Sequence, residues 1–237
     1  MGAIWNTIFY EPLYNVLIFL TGVIPDIGFA VITLTVLVKL LLYPLQSRAI
    51  KGQIALKEIQ PEIDLIKQKF PNKEEQAKET FALYKDRKIN PFSGCFLVLV
   101  QIPIIIALYQ VFLKGFDHTG ILYGFITAPE SVNTVFLGIL DLSKKSLVLA
   151  ILAGVTQFFQ ARLSLSRTQT SSTTNDQSFQ GQFTKSMNMQ IKYILPVFIG
   201  VVAYQVSGAV ALYWTTSNLF GVFQEWKIRH SLRKNEK

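Results

Sequence analysis

The chain has one cysteine, Cys95, and two histidines, His118 and His230, in 237 residues. A single thiol rules out an intrachain disulfide, and histidines so far apart make no metal cluster or catalytic triad with a carboxylate. Charge is scarce too. Asp, Glu, Lys and Arg make up 16% of the chain, while half of it is hydrophobic. A soluble domain of that composition would lack the polar surface to stay wettable. The long apolar runs hold no Asp or Glu in their cores, which argues against a carboxylate proton relay. There is no phosphate-binding glycine loop and no HExxH. These absences favour a binding or conduit function over an enzyme, with no metal and no cofactor. No Lys or Arg precedes Lys39, so the first apolar run lacks the basic flank of a signal peptide.

What the chain does have is basic residues, 23 against 15 acidic ones, for a formal net charge of +8. They sit between apolar runs and do not stripe a soluble fold. That placement suggests membrane topology and anionic lipid headgroups, not sequence-specific nucleic acid. The expected fold is an all-α polytopic membrane protein. A spanning helix needs about 20 mostly apolar residues. Five runs qualify: 27–45, 91–113, 146–163, 187–205 and 208–225, the last two parted by the turn at Ser207-Gly208. Ahead of them, residues 1–26 contain a shorter aromatic stretch with Trp5, Phe9, Pro12, Tyr10 and Tyr14, closed by Pro25-Asp26. It reads as an amphipathic helix lying in the interface, with a sixth span as the alternative.

Eighteen basic residues fall in the segments 46–92, 162–185 and 226–237, against Lys114, Lys144 and Lys145 on the other side. The positive-inside rule then makes the C-terminus cytoplasmic and the N-terminus external. Residues 46–90 become a cytoplasmic helical hairpin, 114–145 the outer connection, 164–186 a flexible Ser/Thr/Gln-rich cytoplasmic loop, and 226–237 a basic cytoplasmic tail. In the hairpin, Ile50, Ile54, Ile59, Ile63, Ile66 and Phe70 recur at helical spacing. Pro61 should kink or split the helix, and Asn72 with Glu75 resembles a capping box. Such a hairpin is too thin to bury a core. It is either a solvated loop or a mobile arm that meets a client or partner.

Polar residues inside the apolar runs are the candidate site: Thr33, Thr35 and Lys39; Gln101; Thr156, Gln157 and Gln160; and Thr215, Thr216, Ser217 and Asn218 beside Trp214. Taken singly, Thr and Ser bond back to their own helix and Gln or Asn act as interhelical glue. A lysine near the centre of a membrane helix costs about 2.5–3.5 kcal/mol on insertion scales. Either Lys39 snorkels toward the cytoplasmic end, or the polar set encloses a wet cavity. A small secondary transporter using Lys39 as an anion or proton site is one reading of such a cavity. It would predict facing internal repeats, and none is visible.

The stretch NPFSGCFLVLVQIPIIIALYQVF, residues 90–112, resembles the signature of the YidC/Oxa/Alb family of membrane protein insertases. Asn90, Pro91, Gly94, Cys95, Gln101, Pro103, Ile104, Ala107, Leu108 and Tyr109 stand in that pattern. Further family-like pieces follow in order: YPL at 43–45, LYKDRKINP at 83–91, ILPVFIGV at 194–201 and SGAVALYWTTSNL at 207–219. The resemblance runs from about residue 5 to residue 230. It implies five spans around a hydrophilic groove open to the cytoplasm, with a basic residue of the first span pointing into it. Lys39 occupies the place where family members commonly carry arginine. Lysine keeps the charge but loses the planar fork that holds a carboxylate bidentately. Gln101 and Trp214 match groove-lining positions, and Thr33, Gln157, Thr216 and Asn218 complete the expected client-binding set. The implied partners are nascent membrane proteins and the lipid bilayer of a bacterial plasma membrane. The ribosome and the Sec translocon are further candidates.

Overall fold

The computed structural model describes residues 2–90, 93–115, 119–127, 129, 132–165 and 189–235. The 164–186 loop therefore lies almost wholly outside the described residues, as do Pro91, Phe92 and His118. Prolines place several of the helix starts. α1 (Gly2–Trp5) passes through a π turn at Asn6–Tyr10 into α2 (Glu11–Val23), with Pro12 in the first turn of α2. The backbone stays helical through Tyr10 and Glu11, and the Glu11 N–H reaches back five residues to Asn6 O, a π turn that accommodates the N–H Pro12 lacks. Tyr14, Leu17 and Ile18 of α2 are buried, and Ile8, Phe19 and Val23 stay exposed.

The chain reverses at Pro25-Asp26. Asp26 caps α3 (Ile27–Leu41), its Oδ1 accepting the Gly28 N–H at 2.8 Å while Oδ2 accepts the Leu137 N–H at 2.9 Å. One carboxylate thus fixes both the start of α3 and a short antiparallel hairpin, β1 (Val135–Phe136) and β2 (Leu140–Asp141). That hairpin lies in the 114–145 connection, where its Gly and Pro residues signal only breaks.

α3 ends at Leu41, short of residue 45. After Leu42 the axis turns by 65° into α4 (Tyr43–Glu58), which carries Pro44 in its first turn. α5 (Gln60–Lys69) starts anew with Pro61 in its first turn, and α6 (Lys73–Asp86) is capped by Asn72, whose side chain accepts the Glu74 N–H at 3.0 Å. The α5–α6 pair is held by Arg87 on Glu62 at 2.9 Å and by Gln76 Nε2 donating to Phe70 O at 2.6 Å. α6 buries no residue, as expected of so thin a hairpin.

α7 (Ser93–Lys114) carries Pro103 inside it, and α8 (Leu147–Leu165) follows the outer connection. A π turn at Gln190–Ile194 leads into α9 (Leu195–Gln205), and α10 (Gly208–Asn235) closes the chain. α8, α9 and α10 pack through small residues. A Cβ on Gly154 would stand 3.2 Å from Pro196 O and 3.5 Å from the Gly200 Cα, and Ala150, Ala153 and Ala203 are buried around them. Close backbone approach of this kind gives helices contact where lipid supplies no hydrophobic drive.

The bundle has two distinct ends. At one, Asn15 of α2 donates to Ile121 O at 2.9 Å and accepts the Tyr123 N–H at 2.7 Å. There too the Gly208 N–H that opens α10 donates to Lys144 O at 2.7 Å. At the other, Gln224 Nε2 of α10 reaches Tyr43 O at 3.3 Å and Ser47 Oγ at 3.1 Å on α4. α10 does not stop near residue 225: it runs on as helix through Asn235, with Ile228 buried.

Among the described residues, Leu147–Ser164 is long and apolar enough by itself to cross a membrane, and α3 with α4 reaches that measure as a bent pair. Gln101–Lys114 and Lys192–Gln205 are apolar but shorter. α10 has the length, but its Thr215–Asn218 run and the Gln224-Glu225 pair dilute its apolar character.

Candidate functional site

Lys39 lies in the last turn of α3 and is only 7% exposed. Its ammonium donates to Gln101 Oε1 of α7 at 3.4 Å. Gln101 Nε2 in turn donates to the hydroxyl oxygen of Tyr213 on α10, and Ser217, one turn further along α10, is hydrogen-bonded to Tyr213. An ammonium offers donors and no acceptor, so it claims the amide oxygen and leaves the amide NH2 for the tyrosine. The polar relay Lys39–Gln101–Tyr213–Ser217 therefore crosses three helices. Tyr213, almost fully buried, is the member that sequence reasoning missed. Its signal was there: Tyr213 and Ser217 are four apart and share one face of α10.

Among the described residues, no carboxylate stands within ion-pair distance of Lys39; the ion pairs are Lys67–Asp64, Arg87–Glu62, Lys144–Asp141 and Arg229–Glu225. A buried charge with one long hydrogen bond and no counter-ion is held at a cost of several kcal/mol, by the usual order of magnitude. It would attract an incoming carboxylate more strongly than a surface lysine does.

The other expected residues divide. Thr216 donates to Leu212 O of its own helix at 2.9 Å, as Thr35 does to Val31 O at 2.6 Å and Thr215 to Ala211 O at 2.9 Å. Asn218 is buried and donates across to α8, to Thr156 Oγ1 at 3.2 Å and Ala153 O at 3.4 Å. Thr33 and Gln157 are half-buried on α3 and α8, and half-buried Trp214 packs against the core. The structure joins Lys39 to Gln101 directly and places Asn218 in the α8–α10 contact.

A second polar cluster sits at the α4 end of the bundle. Glu225 is 4% exposed, accepts from Ser164 Oγ at 2.5 Å, and pairs with Arg229 at 2.6 Å. Arg229 also donates to Leu163 O at 3.2 Å. Lys57 of α4 stands near this pair. Burial, and secondarily the Arg229 charge, push its ammonium down to about 8, against the opposing pull of Glu225. In the sequence Arg229 reads as one more basic residue of the tail.

The sequence profile of the 60Kd inner membrane protein family matches residues 19–236. The chain belongs to this family. It is thereby placed among bacterial inner membrane proteins. A protein of Oceanobacillus iheyensis named Membrane protein insertase YidC is 36% identical over 94% of this chain and 82% of its own length. Membrane protein insertase YidC 1 of Halalkalibacterium halodurans is 28% identical, over 95% of this chain and 79% of its own. The YidC of Cupriavidus taiwanensis is 30% identical over 98% of this chain, which spans only 37% of that longer protein. A solved active YidC insertase with its first transmembrane domain resolved superposes with a TM-score of 0.59 over 92% of this chain and 45% of that one. At 23% identity, that likeness speaks for the helical fold alone.

Proposed function

We propose that the chain is a membrane protein insertase and chaperone. In this reading five spans, 27–45, 91–113, 146–163, 187–205 and 208–225, enclose a groove open to the cytoplasm and to lipid. The N-terminus is outside, the C-terminus inside, and the 46–90 hairpin is cytoplasmic. Lys39 draws the acidic residues of a client's short hydrophilic tail into the groove, which shortens the apolar barrier that the tail must cross. The client's apolar helix then leaves sideways into lipid, and its burial at about 0.8 kcal/mol per CH2 drives the step without a nucleotide or any bond-breaking chemistry. Nascent membrane proteins are the clients, and ribosomes and the Sec translocon the candidate delivery partners.

The observation that carries the reading is the buried Lys39 ammonium on Gln101, with no carboxylate partner among the described residues, in a chain whose relatives are named insertases. A photo-crosslinking amino acid at Gln101 or Trp214 should capture a nascent single-span protein. Crosslinks from exposed Phe81 on α6 alone, with none from either groove position, would reject the groove.

A further inference from the structure

α10 leaves one face uncovered from Leu219 to Lys234. Positions 219, 223, 226, 227, 230 and 234 fall on that face by their three- and four-residue spacing. Leu219, Phe223 and Trp226 are each more than half exposed, and Lys227, His230 and Lys234 are exposed as well. The rings stack along the helix. Phe223 and Trp226 lie 6.2 Å apart at 30°, and Trp226 and His230 lie 5.9 Å apart at 13°.

The face is graded along the helix axis: aliphatic and aromatic first, then an indole, then three nitrogen donors. Over fifteen residues that gradient covers about 22 Å, the run from hydrocarbon through the interface to the headgroups. The carboxylate of this helix, Glu225, is buried against Ser164 and Arg229 and takes no part in the face. Among the described residues neither Lys227 nor Lys234 is ion-paired. Attraction to the C-terminal end of the helix accounts for Lys234, but it fades within the last turn and does not reach Lys227. The ring stack also holds the His230 imidazole against Trp226, on the helix face that carries the two lysines, and an imidazole always keeps an N–H to donate.

We propose that this face binds an anionic phospholipid of the leaflet at the α4 end of the bundle. The acyl chains lie along Leu219 and Phe223, the glycerol region rests on Trp226, and the phosphate is held by Lys227, His230 and Lys234. The proposal rests on the reading that α10 spans the membrane.

The test uses the full chain in vesicles carrying brominated phosphatidylglycerol or brominated phosphatidylcholine at equal mole fraction. Tryptophan quenching lost in Trp226→Phe reports lipid at Trp226. Quenching there should favour phosphatidylglycerol, by about fivefold in local lipid ratio for each cation engaged. K227Q/H230Q/K234Q should abolish the preference while leaving quenching by phosphatidylcholine intact, which also shows that the variant is folded and inserted. Equal quenching by both lipids in the unaltered protein would overturn the proposal, as would a preference that survives the triple substitution. Excess inorganic phosphate should not compete. Competition would reassign the site to free phosphate, and loss of the preference on adding ribosomes would reassign it to RNA. If neither Gln101 nor Trp214 crosslinks client while the lipid preference holds, only the insertase reading falls.

Discussion

At the scale of single residues, the molecule turns on one cation and the amide that meets it. Lys39 has no carboxylate partner among the described residues and shares Gln101 with Tyr213. Lys39→Arg should preserve insertion, because the charge stays, whereas Lys39→Ala should impair clients with acidic tails most. A depletion-complementation assay with tails of graded charge measures this, and equal insertion of acidic tails by Lys39→Ala would remove the lysine from the mechanism. Tyr213→Phe should strand the Gln101 amide group and destabilise the protein by about 1–3 kcal/mol. Combined with Gln101→Leu, the loss should fall short of the sum of the two, since both changes break one relay. Thermal unfolding of the four proteins in detergent gives that coupling.

At the scale of elements, helix starts are set by prolines and side-chain caps, and positions by close packing. Pro12, Pro44, Pro61 and Pro196 each stand in the first turn of a helix. The hairpin β1–β2 is fixed on α3 by Asp26 and by contact: a Cβ on Gly28 would overlap the Phe136 ring. Gly28→Ala should therefore cost about 1–3 kcal/mol by overpacking. Phe136→Ala removes the overlapping Cγ and Cδ2 atoms, so in that background Gly28→Ala should cost less and part of the loss should be recovered. No recovery would mean that the hairpin does not press on α3. Gly221 shows the contrast. Its added Cβ would meet the Gln160 amide end at 2.5 Å, a flexible group that can swing aside, so Gly221→Ala should be mild.

At the scale of the whole molecule, the two ends of the bundle are tied by different chemistry. Backbone hydrogen bonds and Asn15 close one end. The Glu225–Arg229 pair, Gln224 and Lys57 join α4, α8 and α10 at the other. Lys57 has a folded-state pKa of about 8, below its ordinary value of about 10.4. Between those values the unfolded chain binds more protons than the folded one, so stability should rise with pH across that window. Below it the charged lysine burdens both the α4 contact and the fold. Lys57→Met should flatten the slope in pH-dependent thermal unfolding. An unchanged slope in that variant would place the titrating group elsewhere.

The sequence by itself determined the family and the helical character. Apolar runs of membrane length, and the ordered pieces from NPFSGC to SGAVALYWTTSNL, are local properties that need no coordinates. It also marked Lys39 and Gln101, because a charge and an amide are costly in an apolar run wherever that run is placed. Only the tertiary structure decided which polar residues meet. Tyr213 joined the relay, Asn218 turned to α8, and Glu225 and Arg229, already neighbours by their spacing on α10, met Ser164 and Leu163 of α8. Those choices depend on how helices rotate and bend against one another, as at the 65° turn after Leu42. Sequence spacing fixes a residue's face on its own helix, but the neighbour that covers the face is set by packing among segments far apart in the chain.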